Sequence, residues 1–290
     1  MIRKLTFIII LSFEIVSCSS QKSFKMTTNI NSSDDLVDLI NYATKSGNLE
    51  AIKYVVEKDR RVKDKDILIN AIFLDATSYG HLEVVKYLVE KGADINAKDE
   101  NETTALIIAT RKENLDLVKY LVEHGADVNA KIGEYGITAL MVASGNGYLE
   151  VVKYLVGKGV DINSKNNDGL TALMFTSSEG HLEVVKYLVV NGAYINAKAD
   201  DGWTALMFAS SEGYLEVVKY LVENKADINA RTEYNLTALI AASGNGKFEV
   251  AKYLIENKAD TNIKYKGRKA SDYAKNYVKD LFKKNRFFIF

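Results

Sequence analysis

Proline is absent from all 290 residues, against a usual share of roughly 5%. No proline kink, X-Pro cis bond or polyproline segment can therefore shape the chain. A single cysteine, Cys18, excludes an internal disulfide. Histidine is scarce too: His81, His124 and His181 are the whole complement, and none stands at ligand spacing from another. A metal centre or a histidine-driven nucleophile has no donor set to draw on. Charge of one sign is missing, since 38 Lys and Arg balance 38 Asp and Glu and the two signs alternate along the chain. Such a chain has no global field to attract nucleic acid or an anionic membrane surface. The SGNG stretches at 144–147 and 243–246 lack the lysine and the preceding strand of a phosphate loop, and read as interhelix turns. The expectation is a chain with no catalytic, metal-binding or cofactor-binding residue. Its 47% hydrophobic and 26% charged content is that of a folded protein rather than a disordered one.

Long apolar runs are missing except at the start. Arg3 and Lys4 precede an apolar run from Leu5 to Phe13, followed by Ile15, Val16, Ser17 and Cys18. A positive end, a short apolar core and small residues make a secretory signal, because a membrane span needs about 20 apolar residues. The Ile15-Val16-Ser17-Cys18 sequence resembles a bacterial lipobox, in which the cysteine is lipidated and heads the mature chain. Residues 1–17 are thus expected to be a lipoprotein-type signal peptide, and 18–33 the lipidated Cys18 with a flexible polar tether. Fifteen such residues reach roughly 20 Å. An ordinary cleaved signal or an uncleaved anchor, with no role for Cys18, is the alternative.

Beyond that point the text repeats. Tyrosine follows lysine at Tyr54, Tyr87, Tyr120, Tyr154, Tyr187, Tyr220 and Tyr253, in steps of 33, 33, 34, 33, 33 and 33 residues. Residues 80–89 and 180–189 both read GHLEVVKYLV. A fixed period of this length marks a stack of small supersecondary units. In the unit covering 200–232, Thr204 is placed to cap a short helix lined by Leu206, Met207 and Ala209. Leu215, Val218, Leu221 and Val222 recur at helical spacing on a second helix. Ala205, Ala209 and Ser210 keep the first helix thin, so that a neighbour can approach closely. Glu216 with Lys219, and Lys219 with Glu223, are spaced to pair along a helix surface. Glu83–Lys86, Glu150–Lys153 and Glu183–Lys186 repeat the pattern, which makes it a solvated face rather than a catalytic dyad. The tyrosine column reads as packing between second helices, with hydroxyls in water.

The T-A-L start at Thr104, Thr138, Thr171, Thr204 and Thr237, the G-H/Y-L-E-V-V-K centre and the G-A-D-I-N-A end resemble the ankyrin repeat over about residues 35–285. Alanine and methionine replace the usual proline and histidine at the helix start. The resemblance implies an all-α ankyrin-repeat solenoid of helix-turn-helix units with β-turn fingers. Residues 34–65, which lack T-A-L, would be an N-capping repeat, 66–265 six repeats, and 266–290 a C-capping partial repeat and tail. The INAIFLDATSYG stretch is an irregular helix start. In the cap, Tyr277, Val278, Leu281 and Phe282 have core spacing, and the final FFIF could fold back over it.

Proteins of this family generally bind other proteins through the finger tips and adjoining first helices, on the concave side. Here the tips read DENET, IGEYGI, NNDGL, ADDGW and TEYNL while the helices copy faithfully. Tyr135, Trp203 and Tyr234 are the candidate anchors, flanked by Asp200, Asp201, Glu134 and Glu233, with Arg111 at a first-helix end. For Trp203 the competing expectation is packing against the next finger. Gly92, Gly125, Gly159 and Gly192 close second helices, whereas Lys225 and Lys258 stand at that place near the C-terminus and are expected to be strained. The one 34-residue step puts an extra residue in the finger at 131–138. The functional expectation is a monomeric, non-enzymatic scaffold, lipid-anchored in the bacterial cell envelope on the periplasmic or surface side. It would bind a protein partner and no nucleic acid. A secreted module acting on a foreign or host protein, or an accessory of a periplasmic enzyme, are the alternatives.

Overall fold

A computed structural model describes residues 33–58, 64–274 and 276–284. The expected signal, Cys18, nearly all of the tether and the FFIF tail lie outside these residues. Two compact units divide the chain between Asp99 and Glu100.

The first unit holds two antiparallel helix pairs, Ser33–Ser46 with Leu49–Lys58 and Lys65–Tyr79 with Leu82–Glu90. Ala43, Ile52, Val55, Ile72, Phe73, Ala76, Val85 and Leu88 form its core, each no more than 1% exposed. The INAIFLDATSYG stretch is the body of one 15-residue helix. No glycine interrupts it before Gly80, whose φ of 83° ends the helix in a left-handed turn. Asn70 on this helix accepts a hydrogen bond from the Asp94 amide at 2.8 Å.

The second unit stacks six helix pairs. Their first helices are Ala105–Arg111, Ala139–Gly145, Ala172–Glu179, Ala205–Glu212, Ala238–Gly244 and Ala270–Tyr273. Their second helices are Leu115–Glu123, Leu149–Gly157, Leu182–Val190, Leu215–Glu223, Phe248–Glu256 and Asn276–Lys284. First helices pack on first helices and second on second, which buries the alanine, leucine and methionine positions of T-A-L-M completely. Four of the threonines cap as expected: Thr138, Thr171, Thr204 and Thr237 accept from the amides of Met141, Met174, Met207 and Ile240 at 3.3–3.4 Å. Thr104 differs. Its φ is −87° where the other four lie between −104° and −123°, and its buried hydroxyl caps nothing.

Two side-chain assignments need correction. On the helix Leu215–Glu223 the buried residues are Val217, Val218 and Leu221, while Leu215 and Val222 are half-buried. The helix packs on its own first helix and on two neighbouring second helices, so its apolar face is broader than a single stripe. Lys219 pairs with Glu216 at 2.7 Å, and Glu223 acts on it only through its field. The same short pair joins Glu83 to Lys86, Glu150 to Lys153 and Glu183 to Lys186.

Repeats are also sewn together by side chains. Asn129, Asn163, Asn196 and Asn229 accept from the amides of Asp161, Tyr194, Asp227 and Asp260 in the following repeats at 2.7–2.9 Å. At the end a hairpin of Lys264–Tyr265 with Arg268–Lys269 turns through Lys266 and Gly267, at φ 48° and 78°. Two central residues with positive φ match the twist of a tight hairpin. Behind it Val278 is fully buried and Leu281 and Phe282 are half-buried; the Tyr277 side chain lies outside the described residues.

Candidate interaction surface

Each finger is closed by a short backbone exchange. Ile132 and Ile137 bond each other twice, at 3.0 and 3.1 Å, across four intervening residues. The next fingers close from the amides of Asn166, Ala199 and Thr232 to the carbonyls of Leu170, Trp203 and Leu236, across three. The extra residue of the 34-residue step therefore sits at a tip, where the chain projects into solvent. Side chains stiffen the turns: Asn166 Oδ1 accepts from the amides of Asp168 and Leu170 at 3.0 and 2.8 Å, and Thr232 Oγ1 from Leu236 at 3.0 Å.

Neighbouring fingers are tied to one another. The Asn167 amide donates to the Tyr135 carbonyl and its Nδ2 to the Glu134 carbonyl, both at 2.9 Å. The Asp200 amide donates to the Asp168 carbonyl at 3.0 Å. Lower down, the Lys131, Lys165 and Lys198 ammonium groups donate to the carbonyls of Lys165, Lys198 and Arg231 at 2.6, 2.8 and 3.0 Å. These links set the tips out as a row rather than as separate loops.

On that row Tyr135 and Tyr234 are 42% and 67% exposed. Trp203 is half-buried, its ring centroid 4.9 Å from that of Phe208 on the helix behind it. Asp201 and Asp200 are exposed in the same finger, and Asp201 Oδ1 accepts from the Trp203 amide at 3.1 Å. One finger thus gathers Asp200, Asp201 and Trp203. Tyr135 stands two fingers before it and Tyr234 one finger after. Arg111 is exposed in the last turn of Ala105–Arg111, on a different level of the stack.

Three carboxylates on this face were not among the sequence candidates: Asp168 on a tip, and Glu179 and Glu212 where first helices end. Burial raises the Glu179 carboxyl above the ordinary range, with His181 opposing the shift and Glu212 adding to it. The signal for the pair was in the sequence, where SSEG at 177–180 and 210–213 stands in the place that SGNG holds at 144–147 and 243–246.

The opposite layer differs from expectation in one respect. Tyrosine hydroxyls on second helices are not simply wet: within the first unit Tyr87 donates to Glu57 at 3.1 Å, and within the second Tyr154 lies 3.3 Å from both the Lys119 carbonyl and Glu123. Burial, and next the Glu57 contact, push the Tyr87 phenol up to about 12. Two of the histidines join consecutive repeats. His81 Nε2 lies 3.0 Å from the Lys45 carbonyl and His181 Nε2 3.1 Å from the Gly145 carbonyl, each bridging to the end of the preceding first helix. Among the described residues no group of three His, Cys, Asp or Glu side chains could hold a metal ion. No helix among them is long and apolar enough to cross a membrane.

The family model described as "Ankyrin repeats (3 copies)" matches residues 25–99, 73–166 and 140–232, and the one described as "Ankyrin repeat" matches 234–266. No curated protein matches the chain. Matches over most of the sequence, on helix pairs and fingers of the geometry above, place the chain in the ankyrin repeat family, with the all-α repeat fold of a protein–protein interaction module.

Proposed function

We propose that this ankyrin protein is a non-enzymatic scaffold, lipid-anchored in the bacterial cell envelope through Cys18, that binds a protein partner on its finger and first-helix face as a monomer. One observation carries the binding face. Sequence varies from copy to copy where the tips are exposed, and large aromatics, Tyr135 and Tyr234, stand there on a row of hydrogen-bonded fingers. Rigid exposed aromatics lose little entropy on contact, which is what binding hot spots require. The half-buried Trp203 ring packs against Phe208, so it supports the finger as well as offering an edge to a partner.

Capture by cross-linking from cell envelopes tests this reading. The wild type is expected to retain a partner that the Tyr135→Ala, Trp203→Ala, Tyr234→Ala variant loses while keeping its helical circular dichroism. Equal capture by the two proteins would refute the face. The anchor has its own test: labelled palmitate should enter the wild type and not Cys18→Ser, which should leave the membrane fraction. Membrane retention of the unlabelled Cys18→Ser chain would remove the anchor from the account.

A further inference from the structure

Charge on the finger face is one-sided. The tips from 133 to 236 expose Glu134 with Tyr135, Asn167 with Asp168, Asp200 with Asp201 and Glu233 with Tyr234. Each pair holds at least one carboxylate and none holds a Lys or Arg. The first helices behind them, Ala139–Gly145, Ala172–Glu179, Ala205–Glu212 and Ala238–Gly244, carry no Lys or Arg either, and two of them end in Glu179 and Glu212. The finger bases carry Lys131, Lys165, Lys198 and Arg231, and the three lysines donate to the carbonyls of the next finger, which fixes their position without removing their charge. Along the second helices, by contrast, Glu150, Glu183 and Glu216 each hold a lysine at 2.7 Å. Seven carboxylates, Glu134, Asp168, Glu179, Asp200, Asp201, Glu212 and Glu233, thus stand against the four cations of the finger bases, so the finger side keeps an excess of negative charge at its tips.

We propose that this row takes an extended, Lys/Arg-bearing segment of a partner protein, its cations lying between the tip carboxylates and on the faces of Tyr135 and Tyr234. The inference rests on the reading of the finger face as the binding surface. Exposed phenol rings accept cations on their faces, and complementary potentials favour encounter with such a segment over an acidic one. Packed helices lie about 8–10 Å apart, so four tips span on the order of 30 Å, which about nine extended residues cover. Hydrogen bonds between the tips hold the row in place beforehand, which lowers the ordering cost of binding. Glu179, whose raised carboxyl comes from burial with Glu212 contributing, would be relieved by an incoming cation.

Trp203, the single tryptophan of the chain, reports on this row directly. Peptides of about twelve residues alternating Lys-Ser, Glu-Ser or Gln-Ser serve as probes for the full chain, with Trp203 emission and titration calorimetry as readouts. A tip variant carries Glu134→Gln, Asp168→Asn, Asp200→Asn and Glu233→Gln. A control with the same change in charge carries Glu150→Gln, Glu183→Gln, Glu216→Gln and Glu249→Gln. The Lys-Ser peptide is expected to bind and to change Trp203 emission, with affinity falling at least about tenfold in the tip variant and less than about twofold in the control. Binding of the Glu-Ser peptide as tight as the Lys-Ser one, no binding of the Lys-Ser peptide, or equal weakening in both variants would overturn the proposal. An envelope partner retained by the tip variant and lost on Tyr135→Ala, Tyr234→Ala would sink the basic segment and leave the face standing. Retention by both would remove the face itself.

Discussion

Ser144, Ser177, Ser210 and Ser243 share one position of the repeat, are all fully buried, and have hydroxyls without a hydrogen-bond partner. Thr77 and Thr110, at the same position in earlier repeats, turn their hydroxyls to the Phe73 and Leu106 carbonyls at 2.7 and 2.8 Å. An unsatisfied buried hydroxyl costs about 1–3 kcal/mol, and alanine is the better helix former. Ser210→Ala is therefore expected to stabilise the chain by about 1 kcal/mol, read as a higher urea midpoint with unchanged m. A lower midpoint would mean that the hydroxyl is satisfied in solution. Tyr87 makes a pH-dependent contribution. Its phenol, raised to about 12 by burial and by Glu57, binds its proton more tightly folded than unfolded, where the value is about 10. That stability is fully present below about pH 10 and is lost as pH rises towards about 12. In denaturant titrations across this window the wild type should lose stability faster than Tyr87→Phe; parallel curves would argue against the shift.

At the scale of the element, the turns that close helices decide how much each repeat resists change. Gly147 and Gly159 both have positive φ, 77° and 81°, but a Cβ on Gly147 would come within 2.6 Å of the His181 ring, whereas one on Gly159 would meet nothing within 4 Å. Gly159→Ala should cost about 1 kcal/mol for the left-handed backbone alone. Gly147→Ala should cost clearly more, because the ring that bridges to Gly145 must move. Thermal unfolding of the two variants compares them; equal losses would show that the His181 contact yields freely. Lys225 and Lys258 hold φ of 71° and 68° where earlier repeats place glycine, as their position in the text implied. Lys225→Gly and Lys258→Gly should each recover up to about 1 kcal/mol. In the wild type, amide exchange should be fastest in the helices Leu215–Glu223 and Phe248–Glu256, and uniform protection across the second helices would contradict that.

Over the whole molecule, what could be read from sequence is what the period repeats. Thr204 and its three capping counterparts, the glycine column, the Glu–Lys pairs and the extra residue at a finger tip follow from local chemistry recurring in register. Relations between repeats could not be read in the same way. That Tyr87 would reach Glu57, and that Lys131, Lys165 and Lys198 would be tethered to neighbouring fingers, depend on distances set only once the units stack, while the packing of Trp203 on Phe208 depends on how a finger folds onto its own first helix. Thr104 escaped for the opposite reason, since its φ differs by 17° or more from those of the four capping threonines, a rotation that the letters T-A-L do not carry. Asp168, Glu179 and Glu212 were visible as letters, but their sharing of one face with the exposed tyrosines needed the fold. Amide exchange of the full chain, with and without its captured envelope partner, tests the binding face most directly. The account predicts slowed exchange on binding at residues 133–136, 166–170, 199–203 and 232–236, with the second helices unchanged. Slowing confined to 149–157, 182–190 and 215–223 would place the partner on the opposite layer and contradict it.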